Sequence, residues 1–271
     1  MNSPAIIKTA GLKIHARIDG SGPPLLFLGG SNFDLSLKPP VFDSALPQHF
    51  TVAAADPRGL GQTEHPPGEW SMQDYARDAL LLLDALEWDC VDVLGESFGA
   101  MVALHLAAQS PKRINRMALA AGAPGGAGGS SYPIEELLLL SDPTERAQRS
   151  LEVMDSRFTA FLRDEPEHAQ QRIRDRVITN DAFIASHNNA TGYPRLLQAR
   201  AAHDCWDSLP QIDIPTLVFA GRFDQQAPMG RAQNMVRALP NATLVTIDDG
   251  HAHCFASSKP VDTIISHWRN N

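Results

Sequence analysis

A chain of 271 residues, 43% hydrophobic and 20% charged, is long enough to bury about three quarters of its unfolded surface in one large domain or two small ones. Its net charge of −8 and pI near 5.6 exclude the basic footprint of a nucleic-acid binder, and apolar stretches such as Ala79–Leu86 fall far short of the ~20 residues that span a bilayer, so neither nucleic acid nor membrane is an expected partner. Three scattered cysteines, Cys90, Cys205 and Cys254, give neither a disulfide framework nor a zinc site. With no basic, then apolar, run in Met1–Gly11, the expectation is reduced thiols in a cytoplasmic protein.

Two short strands, Ile6–Ile7 and Lys13–Ile18, flank the Ala10-Gly11 turn, and Gly20-Ser21-Gly22-Pro23-Pro24 then breaks the chain. Leu25–Leu28, Phe50–Ala55, Val91–Leu94, Met117–Ala121 and Thr216–Ala220 are short, wholly apolar runs, the mark of strands buried on both faces of a parallel sheet, and Leu244–Ile247 closes the series. Helical patterns alternate with them. Ser71-Met72-Gln73-Asp74 fits a capping box ahead of a helix reaching about Leu86, Phe98–Ala108 is small and apolar, and Met229–Leu239 and Val261–Trp268 are amphipathic. Such alternation implies a doubly wound parallel sheet. From Gly122 to Asp204 no strand run appears; a Gly-rich stretch (Gly125–Ser131) leads into charged helical segments at Pro133–Leu140, Pro143–Asp155, Pro166–Ile178 and Tyr193–Ala202. That stretch reads as the hinge of an ordered helical insertion, which raises the idea of a lid.

Gly95-Glu96-Ser97-Phe98-Gly99 sits between the strand Val91–Leu94 and the helix opening at Phe98, the context of a G-x-S-x-G nucleophile elbow. A tight strand-to-helix turn lifts the serine hydroxyl above the sheet and beside a helix N-terminus that favours developing negative charge. A hydroxyl needs a base to become nucleophilic. Of ten histidines, His251 is the candidate, because Gly250-His251 leaves the strand Leu244–Ile247 on the edge where open α/β sheets carry their sites; His253 is its near rival. His105 reads as a core residue, His15, His49, His65 and His267 as surface residues, and His168, His187 and His203 as belonging to the insertion. Asp224, on the Gly-led loop after Thr216–Ala220, is the acid that would fix the tautomer of the base. Asp248 and Asp249 adjoin His251 too closely in sequence to reach its far nitrogen, and Asp213 precedes its strand. The order Ser97, Asp224, His251 is the one that a nucleophile-elbow fold uses.

With these residues in place, the chain resembles the α/β-hydrolase superfamily over nearly its whole length. Asp56-Pro57-Arg58-Gly59-Leu60-Gly61-Gln62-Thr63 matches the family's D-x-R-G-x-G-x-S/T turn, Pro210 to Asp224 its late-strand block, and Gly250-His251 with Pro260 its last block. The resemblance implies an eight-stranded, mostly parallel sheet flanked by helices, with residues 1–122 and 205–271 as core and 123–204 as a helical cap after the sixth strand. It gives Asp56 and Arg58 a structural role. Where the family often has His-Gly, this chain has Leu28-Gly29-Gly30-Ser31-Asn32, similar to the enol-lactonase branch; the oxyanion donors would be the backbone N–H groups of Gly30 and Phe98. Serine at the elbow disfavours the dehalogenase and epoxide-hydrolase chemistries of this fold, which use aspartate there. Glu96 is placed structurally beneath the elbow, with the pocket as the alternative, and Cys254 reads as a buried small hydrophobe.

The expected activity is hydrolysis of a small, mostly apolar ester or lactone, with no metal and no cofactor, and with Gly29, Ser31, Phe33, Phe158, Phe161 and Trp206 as candidate substrate contacts. Hydrolysis of a carbon–carbon bond beside a ketone, cofactor-free perhydrolysis and a receptor-like binding role are the alternatives. A homodimer through the exposed cap helices is a further expectation.

Overall fold

The computed structural model describes residues 3–269. Strands β1 (Ala5–Lys8), β2 (Lys13–Gly20), β3 (Pro24–Leu28), β4 (Thr51–Ala55), β5 (Val91–Glu96), β6 (Ile114–Ala120), β7 (Thr216–Gly221) and β8 (Ala242–Ile247) form one eight-stranded sheet in the order β1-β2-β4-β3-β5-β6-β7-β8. Only β2 runs antiparallel to its neighbours. After β3 the chain turns to β4 on one side and then crosses to β5 on the other, so a topological switch point falls at the carboxyl ends of β3 and β5, where such sheets leave a crevice. Register is pinned where Asp92 of β5 faces Arg116 of β6 and the two side chains pair at 2.7 Å.

Each apolar strand run serves both faces of the sheet. Leu25, Phe27, Leu94, Ala118, Ala120, Leu217 and Phe219 point to one side, against Val261, Ile264 and Trp268 of α9 (Lys259–Arg269). Leu26, Val91, Val93, Met117, Leu119 and Val218 point to the other, against α1 (Met72–Ala85) and α2 (Phe98–Gln109). This is why the strands read as unbroken apolar runs rather than alternating ones. The capping box of α1 forms as expected, Ser71 accepting from the N–H of Asp74 while Asp74 accepts from that of Ser71. The loop after β4 is organised by buried Asp56, which accepts from the N–H groups of Leu35 and Gln62 and bonds His15 Nδ1 at 2.7 Å. His15 is therefore buried and not at the surface, because a carboxylate taken out of water recruits every donor in reach. Arg58 grips Asp78 of α1 with two bonds of 2.6 Å.

Between β6 and β7 lie α3 (Pro143–Met154), α4 (Phe158–Asp164), α5 (Pro166–Ala185) and α6 (Asn189–Ala201); α7 (Met229–Ala238) and a short α8 (His253–Ala256) complete the helices. The sequence pattern misses α4, ends α5 at the exposed Ile178 although the helix continues to bury Phe183, and gives Ile134–Leu139 as α-helix where it is 3₁₀. It also starts α6 at Tyr193. The helix begins earlier because the Asn189 side chain docks on the core, accepting from Gly61 N–H and donating to Asp34. The Gly-rich run is packed: Gly125 bridges to both Gly129 and Asp204, and a Cβ on it would lie 2.4 Å from the His203 carbonyl oxygen. Glycine is needed there for close approach at φ 76°, where the segment leaves and re-enters the core.

That crossing is also held by a buried histidine pair. His203 Nε2–H donates to the Ala123 carbonyl at 2.9 Å, so its Nδ1 accepts from His105 Nε2–H of α2 at 3.0 Å. Burial depresses His105 from the ordinary 6.5 to about 4. Between those values the unfolded chain binds a proton that the folded chain refuses, so this pair's stability is present above pH 6.5 and is lost as pH falls through about 4. His105→Gln keeps a donor for His203 without the titration. Chemical unfolding at a series of pH values should show a shallower acid loss for the variant, the group's own slope being at most about 1.4 kcal/mol per pH unit. Parallel curves would refute the coupling.

Candidate active site

Ser97 stands at the end of β5 with φ 53° and ψ −111°, a region that L-residues avoid and that costs roughly 1–3 kcal/mol. The glycines two residues to either side permit it. A Cβ on Gly99 would lie 1.9 Å from the Leu28 carbonyl oxygen, and one on Gly95 2.6 Å from that of Gly99. The strained turn is clamped by the Ser97 N–H, which donates to Ala120 of the neighbouring strand at 2.8 Å, and by α2, whose residues Phe98 to Ala107 are all buried. The N–H of Phe98 lies in the first turn of α2, where helix donors lack intrahelical acceptors. Gly30, on the loop after β3, packs beside Ser97, a Cβ built there lying 3.8 Å from the serine Cβ.

His251 Nε2 is 2.8 Å from Ser97 Oγ, and its Nδ1 is 2.8 Å from Asp224 Oδ2. Asp224, on the loop after β7, is 1% exposed, and its other oxygen accepts from the N–H groups of Gln226 and Ala227 at 2.8 Å each. An acceptor so fully engaged holds the proton on Nδ1 and leaves the Nε2 lone pair toward the serine. Gln226 Nε2 also lies 2.8 Å from His251 Nε2. One lone pair cannot take both donors. The Gln226 amide therefore competes with the Ser97 hydroxyl for it.

The competing residues go elsewhere. His253 bonds the Gly250 carbonyl, Asp248 pairs with Arg222, and Asp249 with Arg157. Cys254 is core, its thiol pushed well above the ordinary range by burial.

A cavity of about 530 Å³ opens over Ser97 and His251. Of the residues singled out in the sequence, Gly30, Ser31 and Phe33 line it, and so does Glu96, the role given as the alternative to a structural one. Gly29, Phe158, Phe161 and Trp206 do not. Phe158 and Phe161 pack with Ala147, Ala169 and Ile173 in a separate core among the inserted helices, where Arg172 covers both rings; Trp206 lies against Gly128. Aromatic residues there serve helix packing, which sequence cannot separate from pocket lining. Phe183 of α5, also an apolar candidate in the sequence, does line the cavity, whose wall further recruits Arg146 and Ser150 from α3, Arg176 from α5 and Tyr193 from α6. Their i, i+4 and i, i+7 spacing is the only sequence signal they leave. Burial pushes the Glu96 carboxyl up to about 7, against the pull of neighbouring His251.

The segment between β6 and β7 also holds the loops that carry Asp224 and His251. At the junction of α3 and α4, the His251 N–H donates to the Met154 carbonyl at 2.7 Å, Gln225 N–H to Val153 at 3.1 Å, and Ser156 N–H to Phe223 at 2.9 Å. Among the described residues, no group of His, Cys, Asp or Glu side chains could hold a metal ion, and no helix is long and apolar enough to cross a membrane.

Comparison with known proteins bears on the fold. The family model described as the α/β-hydrolase fold matches residues 23–256. The chain is 29% identical over 244 residues to a poly(3-hydroxyalkanoate) depolymerase of Ectopseudomonas oleovorans, covering 89% of this chain and 82% of that protein. It is 26% identical over 264 residues to 2-hydroxy-6-oxononadienedioate/2-hydroxy-6-oxononatrienedioate hydrolase 2 of Pseudomonas putida, covering 94% and 87%. Among solved structures, the enol-lactonase from Burkholderia xenovorans LB400 superposes with a TM-score of 0.74 at 26% identity, covering 99% of this chain and 98% of that one.

The raised Glu96 value has a measurable consequence. Below the ordinary carboxyl value of 4.5 both states hold the proton; above it the folded state keeps the proton longer, so stability falls as pH rises through about 7. Glu96→Gln cannot ionise. Its melting temperature should gain on wild type between pH 5 and pH 8, by about 2–4 °C for each kcal/mol of relief. A constant difference across that range would mean that Glu96 is not held protonated.

Proposed function

The chain belongs to the α/β-hydrolase fold family and is a hydrolase, and from that premise we propose that it cleaves a small, mostly apolar ester or lactone through an acyl-enzyme on Ser97. The observation that carries this reading is the continuous chain of bonds from Ser97 Oγ through His251 to Asp224, each 2.8 Å long and opening on the cavity. Ser97 attacks the carbonyl carbon while His251 Nε2 takes the hydroxyl proton, and Asp224 stabilises the imidazolium that results. The backbone N–H groups of Gly30 and Phe98 receive the oxyanion. His251 then returns the proton to the leaving oxygen, and the acyl-enzyme is hydrolysed by water that His251 activates in the same way. Gln226 accompanies the base through both transfers. Residues 123–204 act as a cap on a core of residues 1–122 and 205–271, closing the cavity opposite the sheet.

The enol-lactonase and depolymerase relatives support an ester or lactone substrate. A second reading, cleavage of a carbon–carbon bond beside a ketone by the same residues, is favoured by the Pseudomonas putida relative, a hydrolase of 2-hydroxy-6-oxo acids. Product analysis on an ester, a lactone and a vinylogous diketone separates the two.

Ser97→Ala should lower kcat by several orders of magnitude, toward the roughly 10⁶-fold loss typical of a removed triad serine, while the fold melts at an unchanged or higher temperature because the small side chain leaves the core untouched. Steady-state kinetics on p-nitrophenyl esters, with a melting curve alongside, make the test. Turnover within about tenfold of wild type would refute Ser97 as nucleophile.

A further inference from the structure

We propose that the cavity receives a substrate carboxylate remote from the scissile bond, and that Arg176 is the residue that binds it. The inference deepens the hydrolase reading and rests on it only for which bond is broken.

Arg176 projects from α5 into the cavity wall, beside Ser150 of α3 and Tyr193 of α6. Its Nη2 donates to Ser150 Oγ at 3.0 Å, while its Nε is buried without any partner. A guanidinium withdrawn from water ordinarily finds a carboxylate, since an unpaired buried charge is costly. Two other arginines, Arg17 and Arg200, also have a buried unpartnered Nε, yet each has an acid: Arg17 pairs with Asp19 at 2.7 Å and Arg200 with Glu135 at 3.4 Å. Arg176 has none among the described residues, and it is the one of the three that lines the cavity.

The acids sharing that cavity are committed elsewhere. Asp34 accepts from Ser186 Oγ, the Ser36 N–H and Asn189 Nδ2, and Glu96 lies at the elbow beside His251, which it feels electrostatically. The cavity's second guanidinium, Arg146, likewise has no acid; it directs Nε and Nη2 to the Leu140 carbonyl. Positive charge therefore exceeds what the protein's own groups neutralise on the side of the cavity built by α3 and α5.

A carboxylate matches the donors available. The planar edge of one guanidinium and a serine hydroxyl suit two oxygens and a single charge, where a phosphate dianion brings three oxygens and a second charge. Ile134, Leu137 and Phe183 give the cavity wall an apolar character. The substrate class that fits is a half-ester or lactone whose aliphatic chain ends in a free acid.

Mono-p-nitrophenyl adipate and the p-nitrophenyl ester of adipamic acid differ only in a terminal carboxylate against a carboxamide of nearly the same shape. Wild type should prefer the acid in kcat/KM by about 10- to 100-fold, the range of a charge-assisted hydrogen-bonded contact. Arg176→Gln should collapse that ratio to about one, whatever its absolute rates, and Arg176→Lys should restore part of it. No preference in wild type, or a preference that survives Arg176→Gln, would overturn the proposal.

Binding tests it without turnover. By calorimetry, adipate should bind wild type and Ser97→Ala alike and Arg176→Gln at least about tenfold more weakly. If Arg176→Gln does not fold, wild type alone decides: adipate must raise its melting temperature and adipamide must not. Should neither ester be cleaved while Arg176-dependent adipate binding persists, the ester-cleavage reading fails and the carboxylate site stands. Cleavage of both esters without Arg176-dependent adipate binding does the reverse.

Discussion

The backbone of Ser97 is held at φ 53° and ψ −111°, and the rest of the molecule is arranged around keeping it there. A turn that costs roughly 1–3 kcal/mol persists only where its surroundings over-determine it. Here β5 enters from a sheet buried on both faces, α2 leaves through a run of fully buried residues, and the serine N–H is fixed to Ala120 of the next strand. Gly95 and Gly99 are consequences of that geometry: without a Cβ at either, strand, helix and the loop after β3 close on one another within van der Waals contact. The result is a hydroxyl that cannot fold back into the sheet and that faces the crevice of the switch point.

The Ser97 hydroxyl meets His251, which comes from a long way off in sequence. Asp224 and His251 sit on loops after β7 and β8, and loops alone do not hold a side chain to fractions of an ångström. Two devices supply the rigidity. One is local, the full occupation of the Asp224 carboxylate by the Gln226 and Ala227 N–H groups and by the imidazole. The other is remote, the junction of α3 and α4, whose Val153, Met154 and Ser156 backbone groups bond the loops that carry the acid and the base. The inserted helices therefore tie the geometry of the base to the wall of the cavity. Where those helices turn inward they present arginines, a serine and a tyrosine, so the polar side of the cavity is theirs and Ser97 is the sheet's.

The sheet was legible in the sequence because its strands are buried on both faces: Leu25–Leu28 or Thr216–Ala220 allow few alternatives to a central strand. The elbow was legible because glycine spacing, the preceding strand and the following helix are all local. Asp224 and His251 each follow a strand in the sequence, and the structure brings their side chains to 2.8 Å. The inserted region was read poorly for a physical reason. Its helices bury little, Ile178 is exposed on α5, and α4 is held by packing against α5 that no local periodicity announces. Aromatic residues such as Phe158 and Trp206 fit either pocket wall or core packing in the sequence and are packing, whereas polar Arg176 and Ser150 reach the cavity. Buried His15 had surface-like sequence neighbours, and only the distant Asp56 explains it.

The central claim is that the Ser97 hydroxyl is activated by His251, and covalent capture tests it without knowledge of the substrate. Incubation with a fluorophosphonate, followed by intact mass measurement and peptide mapping, should place one adduct on Ser97 in wild type, with labelling slowed by orders of magnitude in His251→Ala. Failure of wild type to label, an adduct on another residue, or labelling of His251→Ala at the wild-type rate would contradict the account.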